Sequence, residues 1–147
     1  MKKILLIGLS FFADRIVKYI ALLNKETIIN EFVVIPHVFS LKYVENYGIS
    51  FGLFKNNILL TVIVPIVLII FLYGIFRKIN NKHFNLAFMV IIGSFLGNLF
   101  DRVFIGYVID MIFFPLIPFF VCNLSDIMIF VSSLFVAFKL ILRDELV

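Results

Sequence analysis

The chain has 147 residues and a mass of 17.0 kDa, is 63% hydrophobic and only 15% charged, and has a mean hydropathy of +1.17. A soluble chain this short cannot hide so much apolar side chain, and soluble domains carry about a quarter charged residues. A soluble enzyme and a nucleic-acid binder are excluded despite a net charge of +4, and at about 20 residues per crossing there is no room for a large transporter.

The first apolar stretch runs from Ile4 to Leu23 and is interrupted by Asp14, Arg15 and Lys18. Met1-Lys2-Lys3 before an apolar run is also how a cleaved leader begins. The only small residue near a plausible cut is Ala13, and Phe11 two positions earlier breaks the small-x-small pattern. Apolar character resumes at Tyr19, so an uncleaved helix over 4–23 is expected. Asp14 and Lys18 stand at i,i+4 with the acid first, the better order for a helical pair. A charge at mid-membrane costs about 2.5–3.5 kcal/mol, so the pair should face the interior of a bundle.

Residues 25–55 are too polar to span. Phe32-Val33-Val34-Ile35 and Tyr43-Val44, set among Pro36, Gly48 and Gly52, predict short strands forming a small sheet on the outer membrane face. The second span, 57–76, carries no charge, and Pro65 within it predicts a kink. The third, 84–104, holds Gly93 and Gly97 at the spacing that lets helices approach closely. Asp101 lies four residues further along that stripe, flanked by Asn98 and Arg102. Residues 105–123 are apolar but broken by Gly106, Pro115 and Pro118, which predicts an outer interfacial flap. The fourth span, 124–142, has Asp126 near its start and Lys139 near its end.

Lys2, Lys3, Arg77, Lys78, Lys82, Lys139 and Arg143 then fall on one side, which makes both termini cytoplasmic. The expected fold is an all-α integral membrane protein. It is a single domain over 1–147, with four transmembrane helices, a small extracytoplasmic β-sheet and the flap.

The chain has nine acidic residues. Asp144 and Glu145 belong to the cytoplasmic tail, and Glu26, Glu31 and Glu45 can be solvated charges of the outer segment. Asp14, Asp101, Asp110 and Asp126 lie in or beside apolar sequence, where an ionisable group suggests function. Each also has a bland explanation: Asp126 can cap the fourth helix, Asp101 can neutralise Arg102, and Asp14 can pair with Lys18. The topology nevertheless brings Asp101, Asp110 and Asp126 to one depth near the outer face. Two close carboxylates share a proton, so one can take a proton from water while the other donates to a carbonyl oxygen. Asp110 and Asp126 have no cationic neighbour in sequence, as such a pair would not.

Five segments, in order, carry a resemblance: Asp14-Arg-Ile-Val-Lys18, Asn46-Tyr-Gly48-Ile-Ser-Phe51, Gly93-Ser-Phe-Leu-Gly97-Asn98-Leu-Phe-Asp101-Arg102, Val108-Ile-Asp110 and Asn123-Leu-Ser-Asp126. Together they resemble the lipoprotein signal peptidases (signal peptidase II). The chain departs from that pattern at Arg15, where the family has Gln, at Cys122 for Phe, and at Ser125 for Ala. The resemblance implies an intramembrane aspartyl endopeptidase that removes signal peptides from diacylglyceryl-modified prolipoproteins. It implies Asp110 and Asp126 as the catalytic pair. Asn46, Gly48, Asn98, Arg102 and Asn123 would bind substrate or support the pair, and Asp14, Lys18 and Asp101 would be scaffold. The sheet and flap would form a cradle over a substrate entering sideways from the bilayer. The implied setting is the bacterial cytoplasmic membrane with the active site toward the outer face. The implied partners are prolipoproteins and membrane lipids, no nucleic acid, in a monomer without cofactors.

The sequence holds no His/Cys/Glu cluster at metal spacing and no HExxH, which disfavours a metalloprotease. Cys122 is the only cysteine, and nothing ties it to His37, so a catalytic thiol is not expected. His83 reads as a solvated residue of the cytoplasmic link. The alternative function is a small non-enzymatic membrane protein, an ion conductor or binding scaffold using buried acids. A conductor should spread its acids across the bilayer, whereas three of these four gather near one face.

Overall fold

The computed structural model describes residues 2–49, 54–55, 57–76, 82–117 and 120–141. The elements are α1 (Lys2–Leu23), α2 (Lys25–Ile28), β1 (Phe32–Ile35), β2 (Phe39–Asn46), α3 (Ile58–Phe76), α4 (Lys82–Phe104), β3 (Val108–Phe113), β4 (Val121–Cys122) and α5 (Leu124–Ile141). Ser50, Phe51, Gly52, Arg77, Lys78, Pro118, Arg143, Asp144 and Glu145, named above, lie outside the described residues.

The long helices form a bundle in which α4 packs against α1, α3 and α5. Three of them are long and apolar enough to cross a membrane: Ile58–Ile75, Lys82–Phe104 and Leu124–Ile141. The 22-residue α1 is one continuous helix whose apolar sequence is broken by Asp14, Arg15 and Lys18. Asn57 starts α3, its Oδ1 accepting the Leu60 N–H at 3.2 Å, which satisfies a backbone donor that the helix leaves free.

The glycine stripe of α4 sets how closely α1 and α5 approach. A Cβ on Gly93 would collide with the Ile7 carbonyl and Ser10 of α1. A Cβ on Gly97 would stand 2.6 Å from Asp14 Oδ2 and 2.9 Å from Ser125 Oγ, so it would meet α1 and α5 at once. At its far end α4 stops on Gly106, whose φ of 91° suits a residue without Cβ and whose N–H returns to the Asp101 carbonyl at 3.0 Å. The chain reverses there and enters β3.

The sheet is antiparallel in the order β1-β2-β3-β4. This corrects the expected layout. The 105–123 connection is not a separate flap, because it contributes β3 and β4 to the sheet. Its run Val108-Ile109-Asp110-Met111 is buried at every position, so both faces of the strand are covered and the alternation that marks a half-exposed strand is missing. The outer segment is not all strand either, since Lys25–Ile28 is helical. Ala21 at the end of α1, Ile28, Tyr43, Ile109 and Met111 form one apolar core where sheet meets bundle. Phe84 and Phe88 form a second at the opposite end of α4.

Candidate active site

β3 supplies Asp110 and the start of α5 supplies Asp126. Asp110 is 1% exposed. Its Oδ2 accepts from Asn46 Nδ2 at 2.9 Å and its Oδ1 from Asn123 Nδ2 at 2.6 Å. Asn46 sits at the end of β2, two residues offset from the Val44–Asp110 pair. Its own orientation is fixed because its Oδ1 accepts the Gly48 N–H at 3.0 Å. The Gly48 carbonyl accepts from Arg102 of α4 at 3.0 Å, and Arg102 also donates to the Asn98 carbonyl at 3.3 Å. Gly48 and Arg102 thus tie the loop after β2 to the bundle.

Asp126 does two things. Its Oδ2 accepts the Asn123 N–H at 3.3 Å, while Asn123 Oδ1 accepts the Asp126 N–H at 3.0 Å. That is a reciprocal capping box on α5. Its Oδ1 accepts from Asn98 Nδ2 at 2.9 Å. The capping explanation of Asp126 is therefore correct, and it does not exclude the acid from the site. Asn123 contacts both carboxylates.

Burial, and then the charge of Asp126, push the Asp110 carboxyl up from 3.8 to about 7; the Asn46 and Asn123 amides and Lys18 pull the other way. The same burial and the same two carboxylates push the Cys122 thiol up to about 12, so it is protonated at neutral pH and lacks the thiolate a nucleophile needs.

Behind the pair lies a network of buried charge. Lys18 Nζ stands 2.8 Å from Asp14 Oδ2 and 2.8 Å from Asp101 Oδ2, and donates to Asn98 Oδ1 at 2.7 Å. That last bond fixes which end of the Asn98 amide faces Asp126. Asp14 Oδ1 accepts the Ser125 N–H at 3.0 Å, joining α1 to the start of α5. Asp101 Oδ2 also accepts the Ile109 N–H at 3.3 Å, so the acid caps the edge of β3 one residue before Asp110.

The sequence paired Asp101 with Arg102. The structure instead pairs Asp101 with Arg15 and Lys18 of α1. Arg102 points toward the 48 loop because neighbours on a helix face different directions. Arg15, which the sequence left without a partner, bonds Asp101 and lies 4.8 Å over the Phe100 ring. Ser125 was noted only as a departure, and nothing in its spacing foretold its backbone bond to Asp14. Among the described residues no group of three or more His, Cys, Asp or Glu could hold a metal ion.

The family model described as Signal peptidase (SPase) II matches residues 6–142. The chain is similar to the lipoprotein signal peptidase of Caldanaerobacter subterraneus subsp. tengcongensis, at 33% identity over 95% of this chain and 96% of that one. It is similar to the lipoprotein signal peptidase of Clostridioides difficile, at 38% identity over 90% and 86%. A solved bacterial membrane enzyme, determined by the in meso method at 2.3 Å, superposes with a TM-score of 0.83 at 26% identity, covering 95% of this chain and 87% of that one. Fold and matches together define a membrane peptidase of the aspartic type. The chain belongs to the signal peptidase II family.

Proposed function

We propose that the protein removes signal peptides from diacylglyceryl-modified prolipoproteins, with Asp110 and Asp126 as its catalytic pair. One carboxylate takes a proton from water, and the water attacks the scissile carbonyl carbon. The other donates to the carbonyl oxygen and then protonates the leaving amine. Buried like charges cannot both ionise easily, so the pair holds one proton, the form this chemistry needs. Asn46, Asn98 and Asn123 hold the carboxylates in place, and Gly48 and Arg102 hold Asn46. Asp14, Lys18 and Asp101 support them from behind.

The observation that carries this reading is Asn123, which donates to Asp110 and exchanges two hydrogen bonds with Asp126. The charges of α1 are buried against α4, which supports α1 as a fourth span. The positive-inside pattern then supports cytoplasmic termini and an active site toward the outer face of the bacterial cytoplasmic membrane. All four residues of β1 are exposed and apolar, as suits a cradle in contact with lipid, with substrate entering sideways. The protein acts as a monomer.

The test is cleavage of a lipidated prolipoprotein by Asp110→Asn and Asp126→Asn. Each should fall to background while the protein still inserts in the membrane. Normal cleavage by either variant overturns the pair.

A further inference from the structure

Arg15 stands where the family resemblance expects Gln. Its guanidinium bonds Asp101, reaches the Gly97 carbonyl at 3.5 Å and covers the Phe100 ring. Its side chain is 18% exposed, whereas that of Asp101 is fully buried. Asp101 connects Arg15 to the site by two routes. It shares Lys18, which bonds Asn98 and through it Asp126. It also accepts the Ile109 N–H beside Asp110.

The charged groups of the pair and of the network joined to it can be set out element by element. From α1 come Asp14, Arg15 and Lys18; from α4, Asp101 and Arg102; from β3, Asp110; from α5, Asp126. β2 adds Tyr43 and β4 adds Cys122, and burial raises both well above neutrality, so both are uncharged. Lys25 and Glu45 satisfy each other at 2.9 Å, with the Lys25 ammonium 4.8 Å over the Tyr43 ring. Four acids thus face three cations. When the pair holds one shared proton, three negative charges meet three positive charges. Without Arg15 the cluster would be one negative charge in excess.

We infer that Arg15 is a positioning residue for this peptidase: acting through Asp101, it balances the cluster's charge in the one-proton form of the Asp110–Asp126 pair. The inference rests on the assignment of those two residues as the catalytic pair. An uncompensated negative charge in a low-dielectric site makes protons harder to remove. Loss of Arg15 therefore moves both limbs of the pH profile to higher pH. The displacement is about half a unit, smaller than the 1–3 units of a directly contacting charge because Asp101 intervenes.

The test is the pH dependence of kcat/KM on a diacylglyceryl-modified prolipoprotein for wild type, Arg15→Gln, Arg15→Lys and the double variant Arg15→Gln/Asp101→Asn. Arg15→Gln should move both limbs upward. Arg15→Lys should leave them at wild-type positions. The double variant removes one charge of each sign and should return them there, whatever its maximal rate. Unmoved limbs in Arg15→Gln, or a double variant displaced as far as the single, overturn the inference. Should Arg15→Gln give no cleaving enzyme, Arg15→Lys decides: unmoved limbs support the charge role and displaced limbs refute it. Failure of the catalytic pair itself looks different, since Asp110→Asn or Asp126→Asn would then cleave normally.

Discussion

Asn123 and Asp126 cap each other across the first turn of α5, and the Asn123 amide left over by that exchange donates to Asp110. The two jobs of Asn123 use different atoms, Oδ1 for the helix and Nδ2 for the carboxylate, so substitutions can separate them. Asn123→Ser keeps a capping oxygen and loses the amide donor. Its cleavage should fall by about tenfold to a hundredfold, and its melting temperature should fall too, because one bond to a buried charged group is lost. Asn123→Ala loses both and should melt about 2–4 °C lower than Asn123→Ser, from about 1 kcal/mol of capping. Thermal unfolding in detergent and a cleavage assay on the same samples check both.

Asp110 should make the protein less stable as pH rises. Its carboxyl is pushed up from 3.8 to about 7 by burial and by Asp126. The folded state thus holds a proton that the unfolded chain releases. There is no penalty below the unfolded value of 3.8; it grows between 3.8 and about 7 and is complete above that. Asp110→Asn removes the charge, at the loss of one of the two bonds accepted from Asn46 and Asn123. The variant should melt no higher than wild type near pH 4, because its NH2 cannot accept from one of the two Asn donors, and should gain on wild type between pH 4 and pH 8 by up to about 4 kcal/mol of stability. A constant difference across that range would contradict the burial of the charge.

Gly97→Ala should disrupt the bundle, since its methyl would fall on Asp14 Oδ2 and Ser125 Oγ, and Asp14 cannot withdraw without straining its bond to the Ser125 N–H that joins α1 to α5. Overpacking of this kind costs about 1–3 kcal/mol. Gly8→Ala, on α1 with open space around it, is the matched control and should melt at or above wild type, because Ala is the better helix former. Equal melting temperatures for the two variants would mean that Gly97 is not a contact point.

Thiol reagents should not inhibit. Cys122 is buried, and its thiol is held at about 12. Cleavage after iodoacetamide treatment should match the untreated enzyme, and Cys122→Ala should retain most activity. Loss of activity on alkylation of the folded protein would refute this.

Hydropathy was enough to read α3, α4 and α5, because a long apolar run with charges only near its ends, or none, has few other uses. The site residues were readable only as ordered motifs, since Asp14, Asp101, Asp110 and Asp126 meet through three helices and a strand far apart in the chain. β3 was missed because it is buried on both faces and so shows no alternation. The partner of Asp101 was mistaken because adjacency in sequence favoured Arg102, whereas the fold turned Arg102 to Gly48 and brought Arg15 across from α1. Helical periodicity places residues on a face of their own helix, but it does not say which helix lies opposite.

The two carboxylates differ in what carries them. Asp126 rides on a helix that can form as soon as it enters the bilayer, while Asp110 rides on a strand whose place depends on pairing with β2, 64 residues away for the Asn46–Asp110 bond. A chain whose helices are inserted but whose sheet is still open has only half of its proposed catalytic pair. If the proposed pair is the catalytic one, the pairing of β2 with β3 completes the site as well as shaping it, because it is what brings Asp110 to its partner.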